Sequence, residues 1–354
     1  MTRIPIRNDL KLVEGYHSPQ VDVSVRLNTN ESPYPPPVGF RDALAARMST
    51  IDWHRYPNRS AGELRAAIAR SHGVDPAQVF AANGSNEIIQ TLLLAYAGPG
   101  RKVMVFEPTY QLHAHIARIT GAEVIGVPRD ANFLIDPAVA KRAFDEHRPE
   151  VVFICSPNNP TGVVEHAETA RTIIDAAPGL VIVDEAYAQF ASWTAADLLD
   201  ESRAMVVTRT YSKTWSMAAA RLGYLLGPTW LVHEIDSVVL PYHLDSAKQL
   251  AGTVALDFAD AMNDRVREIV AGRDTIESAF GSLPVDYWPS GANFILFRPR
   301  SKDGLSVWNG LLERGVLIRD CSSWPGLKNC LRVTVGTPEE NRIFVESLTE
   351  VLSR

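Results

Sequence analysis

Residues 151–184 read VVFICSPNNPTGVVEHAETARTIIDAAPGLVIVD. Two short apolar runs, VVFICS and LVIVDE, flank an amphipathic stretch, ETARTIIDAA. The apolar runs are too short for buried helices and rich in β-branched residues, so the order reads as strand, helix, strand. Outward from this unit the alternation continues, with strand KVMVF, a helix from about Tyr110 to Thr120 and strand AEVIGV upstream, and strand AMVVT downstream. Strands apolar on both faces imply a mostly parallel central sheet flanked by helices, an α/β fold. Ligands in such sheets bind at the carboxyl ends of the strands.

The ends of the chain read differently. A Pro-rich segment, SPYPPPV (32–38), closes an N-terminal arm with little periodicity. From Gly62 an amphipathic helix, ELRAAIARSHG, stops at a glycine, and the turn NGSN precedes a second helix, EIIQTLLLAYA. After GYLLGP the pattern is helical from about Trp230 to Phe280. An α+β pattern follows: strand ANFILFRP, helix SVWNGLLERG, strands VLIRD and CLRVTVG, and the closing helix PEENRIFVESLTEVLS. The expected organisation is an arm (1–39) packing on a smaller α+β domain (241–354), with the large domain (40–240) between them in sequence.

Composition narrows the function. Lys and Arg number 35 against 41 Asp and Glu, a net charge of −6 that does not suit a nucleic-acid binder obliged to neutralise phosphates. The three cysteines lack CxxC spacing, so neither a zinc site nor a disulfide framework is expected, and His113 and His115, two apart on a helix, do not share a face. Without an apolar leader or a membrane-length apolar run, a cytoplasmic protein with no membrane partner is expected.

Four polar clusters fall where strands end. In NGSNE (83–87), Ser85 and Asn86 open a helix whose free N–H groups suit an anion, although both are also ordinary helix caps. In SPNNPTG (156–162), Asn158 offers an amide in a loop that is otherwise a plain turn. Asp184 closes LVIVD and must be paired or exposed, since an unpaired buried carboxylate is costly; Tyr187 lies three residues on. Finally, TRTYSKTWSMAAARLGY (208–224) sets Lys213 in apolar surroundings that favour its neutral, nucleophilic form, beside Thr210, Ser212 and Arg221; a snorkelling surface lysine is the plainer reading. A Schiff-base lysine, phosphate donors, a carboxylate and an amide together fit pyridoxal 5′-phosphate, whose pyridine nitrogen pairs with an acid.

These motifs, with LNTNESP, RYPN, EPTY, SGANFILF and CLRVTVGTPEEN, resemble the fold type I pyridoxal-phosphate aminotransferases, and among them the histidinol-phosphate aminotransferases, over nearly the whole chain. The resemblance implies that Lys213 anchors the cofactor and moves the catalytic proton, and that Asp184 meets the pyridine nitrogen. It assigns Asn158 and Tyr187 to the ring oxygen, Tyr110 to the ring face, and Ser85, Asn86, Thr210, Ser212 and Arg221 to the phosphate. It further implies a homodimer with shared sites, Tyr56 reaching the neighbouring subunit's phosphate region. Arg332 would receive the carboxylate of glutamate, Arg319 with it the phosphate of histidinol phosphate, and Tyr16 and Asn30 would line that pocket. The implied reaction is transamination of L-histidinol phosphate with 2-oxoglutarate in L-histidine biosynthesis. Alternatives are an aromatic amino-acid aminotransferase and, on the same fold, an amino-acid-phosphate decarboxylase. A cofactor-sensing regulator would need a DNA-binding extension, and a serine hydrolase built on Ser212 and Lys213 lacks a nucleophile elbow. The chain departs from the family pattern in EGYHSP around Tyr16 and in the aromatic DCSSWPGLKNC beside Arg319.

Overall fold

Successive side chains of a strand face opposite ways, and the run VVFIC shows what that requires of a central strand. Val151 and Phe153 join one hydrophobic cluster, and Val152 and Ile154 join another on the opposite face. Such a strand needs a helical layer on each side, which the chain supplies. The computed structural model describes residues 4–7, 10 and 20–353.

In chain order the first part comprises β1 (Val25–Arg26), α1 (Phe40–Met48), α2 (Gly62–His72), β2 (Val79–Ala82), α3 (Ser85–Tyr96), β3 (Lys102–Glu107), α4 (Gln111–Ile119) and β4 (Glu123–Pro128). There follow α5 (Pro137–His147), β5 (Val151–Cys155), α6 (Ala167–Ala176), β6 (Leu180–Asp184), β7 (Met205–Thr210) and β8 (Gly223–Leu226). The sheet order is β2-β8-β7-β6-β5-β3-β4. All pairings are parallel except those of β8, which runs antiparallel to both neighbours. The expected parallel sheet thus gains one reversed strand, in GYLLGP. Only a short 3₁₀ turn, Ala218–Ala220, lies between β7 and β8, and a parallel return needs a longer crossover.

The rest of the chain forms α7 (Thr229–Val238), α8 (Ser246–Leu256), α9 (Ala259–Phe280), β9 (Val285–Tyr287), β10 (Phe294–Pro299), α10 (Gly304–Leu312), β11 (Val316–Leu317), β12 (Arg319–Asp320), β13 (Leu331–Thr334) and α11 (Pro338–Ser353). A four-stranded sheet, β12-β13-β10-β9, packs with α9, α10 and α11 around Phe280, Phe297 and Phe344. The arm lies on this unit: β1 pairs in parallel with β11, and Leu27 joins the same core.

The expected domain boundary at residue 241 is corrected by the packing. Ala251, Val254 and Ala255 of α8 share a core with Leu64 and Ile68 of α2, so α8 belongs to the large unit. Met262, early in α9, still joins that core, whereas Ile269 and Ile276 join the small one. The handover therefore occurs inside α9, a 22-residue helix that spans both cores.

Candidate active site

The carboxyl ends of β5, β6 and β7 lie side by side, with Cys155 in register with Asp184 and Asp184 with Thr208. A cavity of about 290 Å³ opens there. Its lining brings together Ser85, Asn86, Tyr110, Asp184, Tyr187, Thr210, Ser212, Lys213 and Arg221 from the large unit with Asn30 of the arm and Arg332 of β13. Sequence reading expected these residues in one site from segments far apart in the chain.

On one side the cavity is built for an anion. Helix α3 begins after Gly84, whose φ of 83° lies in the left-handed region, and no side chain caps its first turn. The helix start therefore presents backbone N–H groups and a positive dipole end at Ser85 and Asn86. Two close approaches shape this corner: a Cβ on Gly84 would sit 2.9 Å from Arg221 Nη2, and one on Gly223 would sit 2.6 Å from Ser85 N. Arg221 Nη1 donates to Ser212 Oγ at 3.2 Å, and Thr210 Oγ1 lies 3.0 Å from the same oxygen. With its oxygen engaged by Arg221, Ser212 is left with a hydroxyl hydrogen to offer.

At the floor, Asp184 is 3% exposed, and its Oδ2 lies 2.8 Å from His113 Nε2, while Oδ1 accepts from Ala186 N–H at 3.1 Å. His113, fully buried, stacks on Phe153 with ring centroids 4.4 Å apart and meets Tyr110 edge-on at 5.4 Å. The sequence reading considered His113 only as a metal ligand and missed this role. Its spacing of three from Tyr110 at the start of a helix that follows a strand end was the available signal.

Lys213 lies opposite. Its Nζ donates to Thr29 O at 3.1 Å and stands 5.7 Å from the centre of the Tyr187 ring. Burial, then the charges of Arg332 and Arg221, push its amine down to about 7, with Glu31 opposing. Burial pushes the Tyr187 phenol well above its ordinary range and the Cys155 thiol up to about 12, so both keep their protons at neutral pH. Arg332 is 4% exposed; Nη1 donates to Asn159 Oδ1 at 2.5 Å, Nη2 donates to Asn28 O at 2.9 Å, and the guanidinium lies 5.1 Å from the centre of the Phe294 ring.

One expectation is overturned. Asn158 is fully buried behind the cavity, with both Nδ2 hydrogens donated, to Pro108 O at 2.9 Å and Thr161 Oγ1 at 2.8 Å, and with Oδ1 accepting from Thr109 at 2.9 Å. Its amide has no hydrogen left for a ligand and braces the loop instead. The adjacent Asn159 lines the cavity. Arg319 sits in register opposite Arg332, 9% exposed, but among the described residues it is not part of the cavity wall. Tyr56 stands apart from this chain's cavity; it is 80% exposed and stacks on Tyr242 at 4.5 Å. Tyr16 lies outside the described residues. Among the described residues no group of acidic, His and Cys side chains forms a metal site, and no helix is long and apolar enough to cross a membrane.

Residues 23–348 match the family model of aminotransferase class I and II. A histidinol-phosphate aminotransferase of Thermobifida fusca is 44% identical over 99% of this chain and 96% of its own. That of Frankia casuarinae is 42% identical over 99% and 91%. The chain belongs to the histidinol-phosphate aminotransferase family, within the class I and II aminotransferases. Solved aminotransferases share its fold at lower identity. The histidinol-phosphate aminotransferase of Sinorhizobium meliloti, in complex with pyridoxal 5′-phosphate, superposes with a TM-score of 0.86 at 22% identity, covering 94% of this chain and 91% of that one. The aspartate aminotransferase of Thermus thermophilus with maleate gives 0.79 at 24%, covering 94% and 92%.

The aminotransferase cavity fits a phosphate-bearing pyridine cofactor on its own chemistry. An uncapped helix start, Arg221 and Ser212 form an anion cup cleared by two glycines, a buried carboxylate stands at the floor, and an amine with a depressed pKa lies within the same cavity.

Proposed function

We propose that this aminotransferase transfers the amino group of L-histidinol phosphate to 2-oxoglutarate, giving imidazole-acetol phosphate and L-glutamate, the transamination of L-histidine biosynthesis. The observation that carries the reading is the setting of Lys213. It lines one cavity with Asp184 and with two arginines, Arg332 and Arg221, and its burial there favours the neutral amine. One guanidinium belongs to the cofactor's phosphate and the other to the substrate's anion.

Bound there, pyridoxal phosphate supplies an aldehyde that captures amines and a pyridinium ring that accepts electron density from the substrate α-carbon. Lys213 Nζ would hold the cofactor's aldehyde carbon, and as a free amine it is the base placed to take up the substrate's α-proton and give it back. Asp184, kept in place by His113, holds a proton at the pyridine nitrogen. Asn159 and Tyr187 serve the ring oxygen, Tyr110 the ring face, and Ser85, Asn86, Thr210, Ser212 and Arg221 the phosphate.

Arg332 receives the carboxylate of glutamate in one half-reaction and the phosphate of histidinol phosphate in the other, since a guanidinium suits both anions; Arg319, in register with it but outside the cavity wall, adds positive charge rather than a direct contact. We read the enzyme as a cytoplasmic homodimer in which Tyr56 completes the neighbouring subunit's phosphate region. The exposed Tyr56, stacked on the exposed Tyr242, with Leu240 two residues before it, supports that reading, because a contiguous exposed apolar patch marks an interface. The test is glutamate formation from 2-oxoglutarate with histidinol phosphate as amine donor. Turnover abolished by Lys213→Ala is expected; turnover retained by that variant would contradict the assignment.

A further inference from the structure

Tyr187 is tied to a hydrogen-bond chain that crosses from the large unit through the arm to the small one. Asn30 Nδ2 lies 3.0 Å from the Tyr187 hydroxyl oxygen. The backbone N–H of Asn30 donates to Thr334 Oγ1 at 3.0 Å, and Thr334 Oγ1 donates to Asn30 Oδ1 at 3.1 Å. Asn293 Nδ2 donates to Asn30 O at 3.2 Å. All four residues are at least nine-tenths buried. Asn30 itself sits at a φ of 55°, a left-handed conformation that asparagine tolerates better than most residues.

The hydrogens in this chain can be counted. A threonine hydroxyl has one hydrogen, and an asparagine side chain has a donor end and an acceptor end. Thr334 Oγ1 accepts the Asn30 backbone N–H and donates its single hydrogen to Asn30 Oδ1; with the amide turned, that buried hydrogen would lose this acceptor. That leaves Nδ2, which can only donate, facing the Tyr187 oxygen. Tyr187 must therefore accept there, and its own hydrogen turns elsewhere, toward the cavity it lines. With the Asn30 amide turned the other way, Oδ1 would take the Tyr187 hydrogen and the cavity would face a phenol with nothing to donate. The ring is held by the same strand pair: Thr334 is in register with Phe294, which packs edge-on against Tyr187 at 5.0 Å.

We infer that Thr334 is a positioning residue for the reaction: its one hydroxyl hydrogen orients the Asn30 amide so that Tyr187 presents an O–H donor to the cavity. The inference rests on the aminotransferase reading above, in which the acceptor is the cofactor's ring oxygen. Thr334 is not among the cavity's described lining residues and acts through Asn30.

The test uses the holoenzyme and the apoprotein of Thr334→Val, which removes the hydrogen at nearly constant volume, and of Thr334→Ser, which keeps it. In Thr334→Val the ring oxygen loses a donor and becomes more basic, so the pH midpoint of the absorbance of the lysine-bound cofactor moves up by about one unit. The apoprotein's affinity for pyridoxal phosphate, read by tryptophan fluorescence, falls about 10-fold, the weight of one hydrogen bond. Thr334→Ser returns both values to those of the wild type. If Thr334→Val loses the native circular dichroism, Thr334→Ala removes the same hydrogen without placing a second methyl against Asn30, and the same shifts are expected. An unmoved midpoint with unmoved affinity, or a serine variant that behaves like valine, overturns the role of Thr334 and leaves the aminotransferase reading standing. A wild-type protein without lysine-bound cofactor absorbance overturns both.

Discussion

His113 Nε2 and Asp184 Oδ2 lie 2.8 Å apart in a pocket closed to solvent, with the imidazole flat against Phe153. The pair explains how a carboxylate can end an apolar strand: one oxygen takes the imidazole and the other a backbone N–H. His113→Phe keeps a ring against Phe153 and withdraws the donor. Turnover is expected to fall roughly 10- to 100-fold, the weight of a hydrogen bond to a charged group, with the far-UV circular dichroism unchanged. Turnover within about twofold of wild type would remove His113 from the site.

The two asparagines of SPNNPTG separate by readout. Asn158→Ala strands Thr109 and Thr161 and should lower folding stability by about 1–3 kcal/mol, seen as an earlier urea midpoint, with little change in KM. Asn159→Ala removes the acceptor of Arg332 and should raise the KM for 2-oxoglutarate with little change in the urea midpoint. The opposite pattern would place Asn158, and not Asn159, against the ligand.

Arg332→Lys keeps the charge and loses the planar fork that engages Asn159 and Asn28 together. On the proposal that one guanidinium serves both anions, the KM values for glutamate and for histidinol phosphate should both rise, by roughly 100-fold. A rise for only one of them would assign the other anion to a different residue.

Lys213 gives the fold a pH dependence whose sign is fixed. Its folded value of about 7 lies below the ordinary 10.5, so between those values the unfolded chain binds more protons than the native one, and stability rises with pH. The apoprotein of Lys213→Met lacks this dependence. In urea melts, wild-type apoprotein should therefore gain on the variant as the pH rises from about 7 to about 9.5. A difference that does not vary with pH would mean that the amine is not desolvated.

Tyr56, exposed and stacked on Tyr242, is predicted to act across a dimer. Mixing Lys213→Ala protein with Tyr56→Ala protein under subunit exchange should produce heterodimers carrying one intact site and more activity than either parent. No gain despite verified exchange would confine the site to one chain.

The sheet was legible because VVFIC and LVIVD can only be strands buried on both faces, and the cavity because chemistry-bearing residues sit where those strands stop. What the sequence concealed was set by contacts. Asn158 and Asn159 are the same residue type one position apart, and the loop's hydrogen bonds decide which amide is consumed. His113 sits on the buried face of an amphipathic helix, where a polar residue reads as a core position, and only the fold lays its ring on Phe153 and brings it to Asp184. The boundary was misplaced because α7, α8 and α9 form one helical stretch in sequence, and their division depends on which core each apolar stripe meets. Thr334 carries no motif of its own; its part lies in the hydrogen bonds it exchanges with Asn30.

The central claim is tested most directly by the specificity constants of the purified holoenzyme for L-histidinol phosphate and for L-phenylalanine, each with 2-oxoglutarate as acceptor. Membership of the histidinol-phosphate aminotransferase family predicts a kcat/KM for histidinol phosphate well above that for phenylalanine, with glutamate and imidazole-acetol phosphate formed one for one. A higher kcat/KM for phenylalanine, or carbon dioxide as a stoichiometric product, would contradict it.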